Sequence, residues 1–330
     1  MRCPRLLAAL LVAALALAGC AGDDPSSGAP DSDATLLLDA RPNAIHIGIY
    51  TATARGFDSA LGVGLRVRVP KPATDPVAEL TSGVADLAIL DIHDLALARE
   101  RGHDLVGVMA LVQTPLAAIL AAPSIRSPRD LVGKRVDVSG RPGDTAVLRS
   151  IVRGAGGDPA RVKPTRIALS PARSVETGVV AGAVGFWNTD GLALRAARPQ
   201  AHEFRVDDYG APAYPELVLA VTRETLQDRA SLVRATVAAI ARGYEEVLSD
   251  PENGVSTMTD AVRGLDPRQL QRELDEVSPS FTAGVRGFGD LNRPNLERWA
   301  RWEKQFGVTK RAPEVGLAFD GRYVPAPGRD

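Results

Sequence analysis

Polar side chains follow two of the predicted strands at the point where each strand ends. Asp39, Asn43 and His46 come after the first strand, and Asp91 and His93 open a helix after the third. Because open α/β sheets bind small ligands in the crevice outside the carboxyl ends of their strands, we expect these side chains to face a ligand. Each residue alone is more often a turn former or a helix cap, so their joint placement carries the prediction.

A glycine-rich turn in the middle of the chain offers a different kind of contact. Residues 139–145 (SGRPGDT) lead into a predicted helix, and Gly140, Gly143 and Asp144 belong to this turn. Backbone N–H groups at a helix start can receive an anionic or carbonyl oxygen. Other candidates lie at a strand end or beside the last predicted strand: Trp187, Asn188, Asp190, Tyr209 and Tyr214.

The chain carries no recognisable catalytic or metal-binding motif. It has no HExxH, GxSxG, Walker A or GxGxxG pattern, and the histidines at 46, 93, 103 and 202 show no metal-ligand spacing. Cys3 and Cys20 are its only cysteines. We therefore predict no catalytic site, no metal and no cofactor, and we expect a protein that binds a small molecule.

Predicted strands and helices alternate along most of the chain. Strands are predicted at 35–38, 64–69, 86–90, 105–112, 135–138, 164–169, 183–187, 203–206 and 217–221. The main helices are predicted at 75–82, 92–100, 143–154, 173–181, 230–248 and 292–306, and Asp266 caps a further one. This alternation predicts an α/β fold with parallel sheets covered by helices.

The order of these elements predicts two α/β lobes. Residues 35–116 and 217–330 would form the first lobe, and residues 117–216 the second. Two strands that cross between the lobes would leave a cleft for a small ligand, and such a hinge allows the lobes to close on it.

Residues 1–20 have the features of a lipoprotein signal peptide. Two arginines precede an apolar run of about 13 residues, which is too short for a membrane span of roughly 20. The run ends in LAGC, where the thiol of Cys20 would accept a diacylglyceryl group. An ordinary secretory signal with a chance cysteine is the alternative. Residues 21–34, rich in Asp, Ser, Pro and Gly, predict a flexible tether, so we expect a lipid-anchored protein on the extracytoplasmic face of the cell membrane.

Net charge argues against a nucleic-acid partner. The formal net charge is −1, and removal of Arg2 and Arg5 with the signal peptide changes it to −3. A mildly acidic chain without a basic patch is not typical of nucleic-acid-binding proteins. With Cys20 as the only remaining thiol, no disulfide can form within the chain. We expect a monomer.

Several segments resemble one family of binding proteins. LLLDARPNAIHIGIYTATARGF, GVADLAILDIHDLALARERG, GFWNTDG and FRVDDYGAPAYPELVLAV are similar to the thiamine-pyrimidine group of SsuA-like substrate-binding proteins. The similarity covers nearly all of the chain after the predicted tether. It implies a type II periplasmic-binding fold and a partnership with the permease and ATPase of an ABC importer. It also implies a heteroaromatic ligand between the lobes, of the hydroxymethylpyrimidine or formylaminopyrimidine type.

The resemblance assigns roles to residues in the first lobe and the hinge. Asn43 matches the Asn of the family's D-W-x-P-N segment, and His46 matches a His often seen three residues later. Tyr209 and Tyr214 match the hinge aromatics. Ala40 stands where the family has the Trp of D-W-x-P-N, which removes one stacking wall and about 0.5–1.5 kcal/mol beyond its area. The identity of the ligand therefore stays open.

A second matching motif lies in the other lobe. Trp187, Asn188 and Asp190 match the family's W-N-x-[ED]-G. The resemblance implies that the acid hydrogen-bonds an aminopyrimidine edge and that the Trp stacks on the ring. A core position for Trp187 is the competing interpretation.

Eukaryotic pyrimidine synthases are similar in fold, so an enzyme has to be considered. They carry a Lys for pyridoxal phosphate, a His consumed in the reaction and a Cys-rich iron-binding run. The alignment places Leu90 at the Lys and Asp94 at the His, and the Cys-rich run corresponds to APAYPELVLAV, which has no cysteine. We therefore predict no enzyme activity. An alkanesulfonate, nitrate or flavin-precursor ligand, and a sensor without transport, remain the alternatives.

Overall fold

The computed structural model describes residues 32–326. Cys20 and residues 21–31 of the predicted tether lie outside the described residues. In chain order the described strands are β1 (Ser32–Leu37), β2 (Val63–Arg68), β3 (Leu87–Asp91), β4 (Leu105–Ala110), β5 (Ala117–Ala121), β6 (Arg135–Asp137), β7 (Lys163–Thr165), β8 (Gly182–Phe186), β9 (His202–Arg205) and β10 (Leu217–Thr222).

These strands form two five-stranded sheets. The first sheet has the order β2-β1-β3-β10-β4, and the second has the order β7-β6-β8-β5-β9. The chain crosses from the first sheet to the second between β4 and β5, and it returns between β9 and β10. The predicted α/β fold with two lobes and two crossings is thereby confirmed.

The prediction of parallel sheets is wrong for two strands. β10 runs antiparallel to β3 and β4, and β5 runs antiparallel to β8 and β9. Each of these two strands comes directly after a crossing between the lobes. Each therefore begins at the side of its sheet where the neighbouring strands end, and it runs in the opposite direction to them. The remaining pairs, which are connected through helices, are parallel.

The first strand begins earlier than its sequence suggests. β1 starts at Ser32 rather than at Thr35, because Ser32, Asp33 and Ala34 continue the parallel pairing with Val63–Leu65 of β2. Three residues counted with the polar tether therefore belong to the sheet. Pairing with a neighbouring strand, rather than composition, sets this boundary.

The described helices cover both sheets. They are α1 (Ile47–Ala54), α2 (Phe57–Ala60), α3 (Pro76–Thr81), α4 (Ile92–Glu100), α5 (Pro142–Gly154), α6 (Pro171–Glu176), α7 (Leu192–Ala197), α8 (Arg223–Asp228), α9 (Ala230–Ser249), α10 (Pro251–Ala261), α11 (Pro267–Val277), α12 (Arg293–Phe306) and α13 (Val315–Ala318). The predicted caps Asp75 and Asp266 accept hydrogen bonds from the first backbone N–H groups of α3 and α11. Among residues 32–326, no helix is both long and apolar enough to cross a membrane.

Helix α1 was not predicted, because its sequence lacks a polar face. It packs against α9, and the approach is so close that a Cβ on Gly48 would enter the ring of Tyr244. The Tyr244 hydroxyl donates a hydrogen bond to the carbonyl of Ile45. This contact fixes the chain that leads from β1 into α1.

Helix α12 links the two lobes. Its Trp302 donates a hydrogen bond from Nε1 to Ser150 Oγ of α5 in the second lobe, at 3.2 Å. Its neighbour Glu303 pairs with His93 at the start of α4 in the first lobe. The helix therefore places two buried side chains beside the crossings.

Candidate ligand-binding site

A cavity of about 370 Å³ lies between the two sheets. This volume is in the range of small-molecule sites. Its walls come from the ends of β3 and β8, from the starts of α4 and α5, and from the residue before β10. The lining includes five carboxylate residues, together with His93 and Arg141: Asp91, Asp94, Asp144, Asp190 and Glu216. Of the residues predicted from sequence, the cavity brings together Asp91, His93, Gly143, Asp144 and Asp190.

Asp91 and Glu216 present carboxylates that the backbone holds in place. Asp91 caps α4, and its Oδ1 accepts a hydrogen bond from the backbone N–H of His93 at 2.7 Å. Oε2 of Glu216 accepts from the N–H groups of Leu116 and Ala117, at 2.7 and 3.3 Å. Within residues 32–326, no protein group donates to the other oxygen of either carboxylate. Each carboxylate therefore has one oxygen that is held by backbone N–H groups and one oxygen that has no protein donor.

Burial changes the acidity of this pair. Burial raises the pKa of Asp91 to about 8, although the neighbouring charge of His93 acts in the opposite direction. Burial also raises the pKa of Glu216, again against the charge of His93. Desolvation disfavours the charged form of a carboxyl group, and only a nearby cation or donor compensates for it.

His93 is held from several sides. Its Nδ1 pairs with Glu303, and its Nε2 lies 3.4 Å from the hydroxyl of Tyr214. The imidazole stacks on Trp302 with ring centroids 5.6 Å apart. Burial alone would lower the pKa of His93, but the charges of Glu303 and Asp91 raise it to about 10. The ring is therefore an imidazolium at neutral pH, and it forms an ion pair with Glu303.

Asp91, His93 and Glu216 form a group that could hold a cation. Each contributes one donor atom, and the three atoms lie within 4.8 Å of one another. Two carboxylates and a neutral imidazole are a ligand set that divalent metal ions accept, so a metal ion here would have to displace the proton of His93. An organic ammonium group would use the same oxygens.

The glycine-rich turn forms the opposite wall. Asp144 Oδ2 accepts a hydrogen bond from the backbone N–H of Ser139 at 2.7 Å, so one N–H group of the turn is already occupied. A Cβ on Gly143 would lie 3.0 Å from Cδ2 of His93, and glycine therefore allows the two lobes to approach closely here. Gly140 has φ +91°, which favours glycine, and its Cβ position is taken by the guanidinium of Arg166. Gly140 thus shapes the turn and does not line the cavity.

Asp39, Asn43 and His46 form a hydrogen-bonded group of their own at the end of β1. His46 Nε2 lies 2.8 Å from Asp39 Oδ1, and His46 Nδ1 accepts from the backbone N–H of Asn43 at 3.2 Å. The side chain of Asn43 caps the following turn by accepting from Ile45 N at 2.9 Å. His46 is fully buried, and none of the three lines the cavity.

The W-N-x-[ED]-G segment forms a π-helical turn after β8. Trp187 is 2% exposed, donates from Nε1 to the carbonyl of Pro115 at 2.9 Å, and lies beneath the guanidinium of Arg205. Its ring belongs to the core beside a crossing and does not line the cavity. Asp190 does line it, accepts from Phe186 N at 3.2 Å, and has its pKa raised by burial.

Asn188 in the same turn is fully buried, and neither polar atom of its side-chain amide has a hydrogen-bond partner among the described residues. A buried amide without partners costs about 1–3 kcal/mol. Asn188 does not line the cavity, so the structure does not place its amide against the ligand site.

The two predicted hinge tyrosines differ in their surroundings. Tyr214 is fully buried, meets the edge of His93 at a centroid distance of 5.4 Å, and thereby supports one wall of the site. Tyr209 lies in the second lobe and packs edge-on against Phe204 at 6.1 Å. Tyr209 does not line the cavity.

Sequence reasoning missed Glu216, Arg141 and Glu303. A signal existed for both glutamates. Glu216 stands directly before the fully apolar strand β10, and Glu303 lies on the same face of α12 as Trp299, Trp302 and Phe306. A charged residue inside an apolar pattern indicates a buried, paired charge.

The two lobes and the polar cavity between them define a substrate-binding protein with the periplasmic-binding fold. The binding protein for aliphatic sulphonates from Escherichia coli, SsuA, superposes with a TM-score of 0.68 over 92% of this chain and 98% of its own, at 16% identity. That likeness concerns the fold.

Sequence comparison gives the family. Residues 43–254 match the family described as NMT1/THI5 like, and the chain belongs to it. It is 30% identical to a formylaminopyrimidine-binding protein of Halalkalibacterium halodurans over 252 residues, 76% of each chain. It is 24% identical to the 4-amino-5-hydroxymethyl-2-methylpyrimidine phosphate synthase THI5 of Saccharomyces cerevisiae, over 89% of this chain and 88% of the synthase.

Proposed function

We propose that this protein is the extracytoplasmic, lipid-anchored binding component of an ABC importer, and that it binds a pyrimidine precursor of thiamine. The ligand would be of the hydroxymethylpyrimidine or formylaminopyrimidine type. The observation that carries the proposal is the acidic cavity between the lobes, in which Asp91 and Glu216 offer free carboxylate oxygens. The relationship to a formylaminopyrimidine-binding protein supports it.

The chemistry of the lining favours this ligand class over the anionic alternatives. The exocyclic amino group of an aminopyrimidine donates hydrogen bonds, and carboxylate oxygens accept them. A sulfonate or nitrate would instead bring a negative charge beside Asp91, Asp144 and Glu216. Like charges in a desolvated site repel strongly, so the cavity disfavours anions.

A binding role without catalysis fits the residues at the positions that the synthases use. Leu90 is buried in the core at the position of their Lys, and Asp94 lies 3.5 Å from Arg141 at the position of their His. The cavity lining contains neither Lys nor Cys. No lining side chain is therefore available for a Schiff base.

Isothermal titration calorimetry tests the proposed ligand. We expect saturable 1:1 binding of 4-amino-5-hydroxymethyl-2-methylpyrimidine or its formylaminomethyl counterpart. Methanesulfonate and nitrate should give no heat. At a ligand concentration of 100 times Kd, the unfolding free energy should rise by about 2.7 kcal/mol. Binding of methanesulfonate with no response to either pyrimidine would contradict the proposal.

A further inference from the structure

We propose that Asp91 and Glu216 form an ammonium subsite, and that this subsite selects pyrimidines with a positively charged aminomethyl group over neutral ones. The inference deepens the proposed function and rests on it. It names the chemical feature by which the cavity distinguishes among related pyrimidines.

The two carboxylates are fixed acceptors without donors. Their anchored oxygens are held by the backbone of His93, Leu116 and Ala117, so neither side chain can turn away from the cavity without losing these hydrogen bonds. Glu216 is 1% exposed, yet it lines the cavity with an oxygen that no described group satisfies. An acceptor that is oriented by the backbone, lines a cavity and has no protein donor is placed to accept a hydrogen bond from a ligand.

The surroundings of Asp91 and Glu216 contain more carboxyl groups than cations. His93 is the described cation nearest to both carboxyl groups, but its Nδ1 is paired with Glu303, so three carboxyl groups share one cation. Arg141 lies toward solvent beside Asp94, with 65% of its side chain exposed. Burial is the main cause of the raised pKa values of Asp91 and Glu216, and an ammonium group beside them would lower both values and favour the carboxylate forms. An ammonium group, with three N–H donors, supplies both the charge and the hydrogen bonds.

Two ligands that differ in one group test the subsite. 4-Amino-5-aminomethyl-2-methylpyrimidine carries an ammonium group at pH 7, whereas its 5-hydroxymethyl counterpart is neutral and of nearly equal size. We expect calorimetry at pH 7 to show at least tenfold tighter binding of the amine. Glu216→Gln and Asp91→Asn should each reduce that preference to less than threefold. Both replacements keep a side-chain oxygen for the backbone hydrogen bonds.

Asp275→Asn is the control. Asp275 is an exposed carboxylate on α11 that does not line the cavity, so its replacement should leave the preference for the amine unchanged. Thermal unfolding of each variant checks that it is folded. If one of the two subsite variants does not fold, the other variant and the wild-type preference still decide the question.

The outcomes separate this inference from the proposed function. Equal affinity for both pyrimidines, or tighter binding of the alcohol, would overturn the ammonium subsite while leaving pyrimidine binding intact. Failure of both pyrimidines and of the formylaminomethyl compound to bind would overturn the proposed function itself. Tight binding of Zn²⁺ alone that requires Asp91 and Glu216, without any preference for the amine, would assign the group to a metal ion and overturn the ammonium subsite.

Discussion

His93 shows how burial and charge compete at a single residue. It is 4% exposed, and desolvation by itself would make its imidazole neutral. Glu303 reverses this outcome, although it comes from a helix 210 residues further along the chain. Because Asp91 and Glu216 also act on the ring, the protonation state of His93 reflects the whole group rather than one ion pair.

The pKa of His93 predicts how stability depends on pH. Its folded-state pKa of about 10 lies above the ordinary value of 6.5, so its contribution is fully present below pH 6.5 and is lost as the pH rises toward 10. The raised pKa of Asp91 acts in the same direction up to about pH 8. We expect the unfolding free energy from urea denaturation to fall between pH 7 and 9, by at most about 1.4 kcal/mol per pH unit for each of the two groups.

The variants His93→Gln and His202→Gln provide the comparison for this pH profile. Removing the buried imidazole should flatten the profile between pH 8 and 9. Removing His202, which is partly exposed on β9, should leave it unchanged. A wild-type stability that stays constant or increases over this range would show that the imidazolium does not stabilise the fold.

Asn188 provides a second test at a single position. Leu is close to Asn in size and removes the unpaired amide, so Asn188→Leu should raise the unfolding free energy without ligand by about 1 kcal/mol. Because Asn188 does not line the cavity, the same change should leave pyrimidine affinity within about twofold of wild type. Urea denaturation and calorimetry measure the two effects.

Thr236→Val is the control for Asn188. Thr236 Oγ1 is likewise buried without a partner, it lies in α9, and like Asn188 it does not line the cavity. Its replacement should raise stability and leave affinity unchanged. If Asn188→Leu lowered stability, the amide would have a structural role, and a loss of pyrimidine binding would show that the ligand reaches it.

The buried position of Trp187 predicts that its mutation lowers the stability of the fold. The sequence motif predicts that Trp187→Ala would weaken binding without loss of folding. In the structure the ring is buried against Pro115 and Arg205, so we expect a loss of about 3–5 kcal/mol of unfolding free energy. Trp187→Phe should lose much less. An alanine variant with wild-type stability would show that the ring is not a core residue.

At the scale of elements, α1 packs closely against α9. A Cβ at Gly48 would overlap the ring of Tyr244, which is itself held by its hydrogen bond to Ile45. Gly48→Ala should therefore destabilise the protein by about 1–3 kcal/mol or more, despite the better helix propensity of Ala. Denaturation with urea gives the difference.

Gly316→Ala is the matched control for this helix contact. Gly316 also lies in a helix, α13, but the nearest atom to its Cβ position is 4.0 Å away. Its replacement should be neutral or slightly stabilising. Equal effects of the two substitutions would mean that α1 can move away from α9 without cost.

At the scale of the whole molecule, the predicted lipid anchor concerns residues outside the described range. Cys20→Ser should abolish labelling with radioactive palmitate. Cys3→Ser, in the segment predicted to be cleaved, should leave the labelling unchanged. Palmitate labelling that persists in Cys20→Ser would contradict the lipid anchor.

Much of the fold follows from local sequence patterns. The alternating strands, the aspartate caps and the apolar strand β10 were all predictable, because burial on one face imposes a periodicity that the sequence records. Helix α1 was not, since it is covered on several sides and shows no polar stripe. The antiparallel direction of β5 and β10 was not predictable either, because direction follows from where a crossing enters the sheet.

The candidate site was predictable only in part. Residues that follow strands, such as Asp91 and Asp190, reach the cavity because strand ends meet at one edge of each sheet. Asp39 and His46 also follow a strand, but their side chains form a hydrogen bond with each other and do not line the cavity. Whether a strand-end residue faces a ligand depends on its partners, and spacing along the chain does not reveal them.

The sequence by itself determined the α/β class, the two lobes, the family resemblance and the expectation of an export signal. Only the tertiary structure decided that Asp91, Glu216 and Glu303 act on one histidine and that Trp187 is a core residue. The physical reason is the range of the forces involved. Secondary structure is set by neighbours along the chain, whereas burial, charge pairing and pKa are set by groups brought together from distant segments.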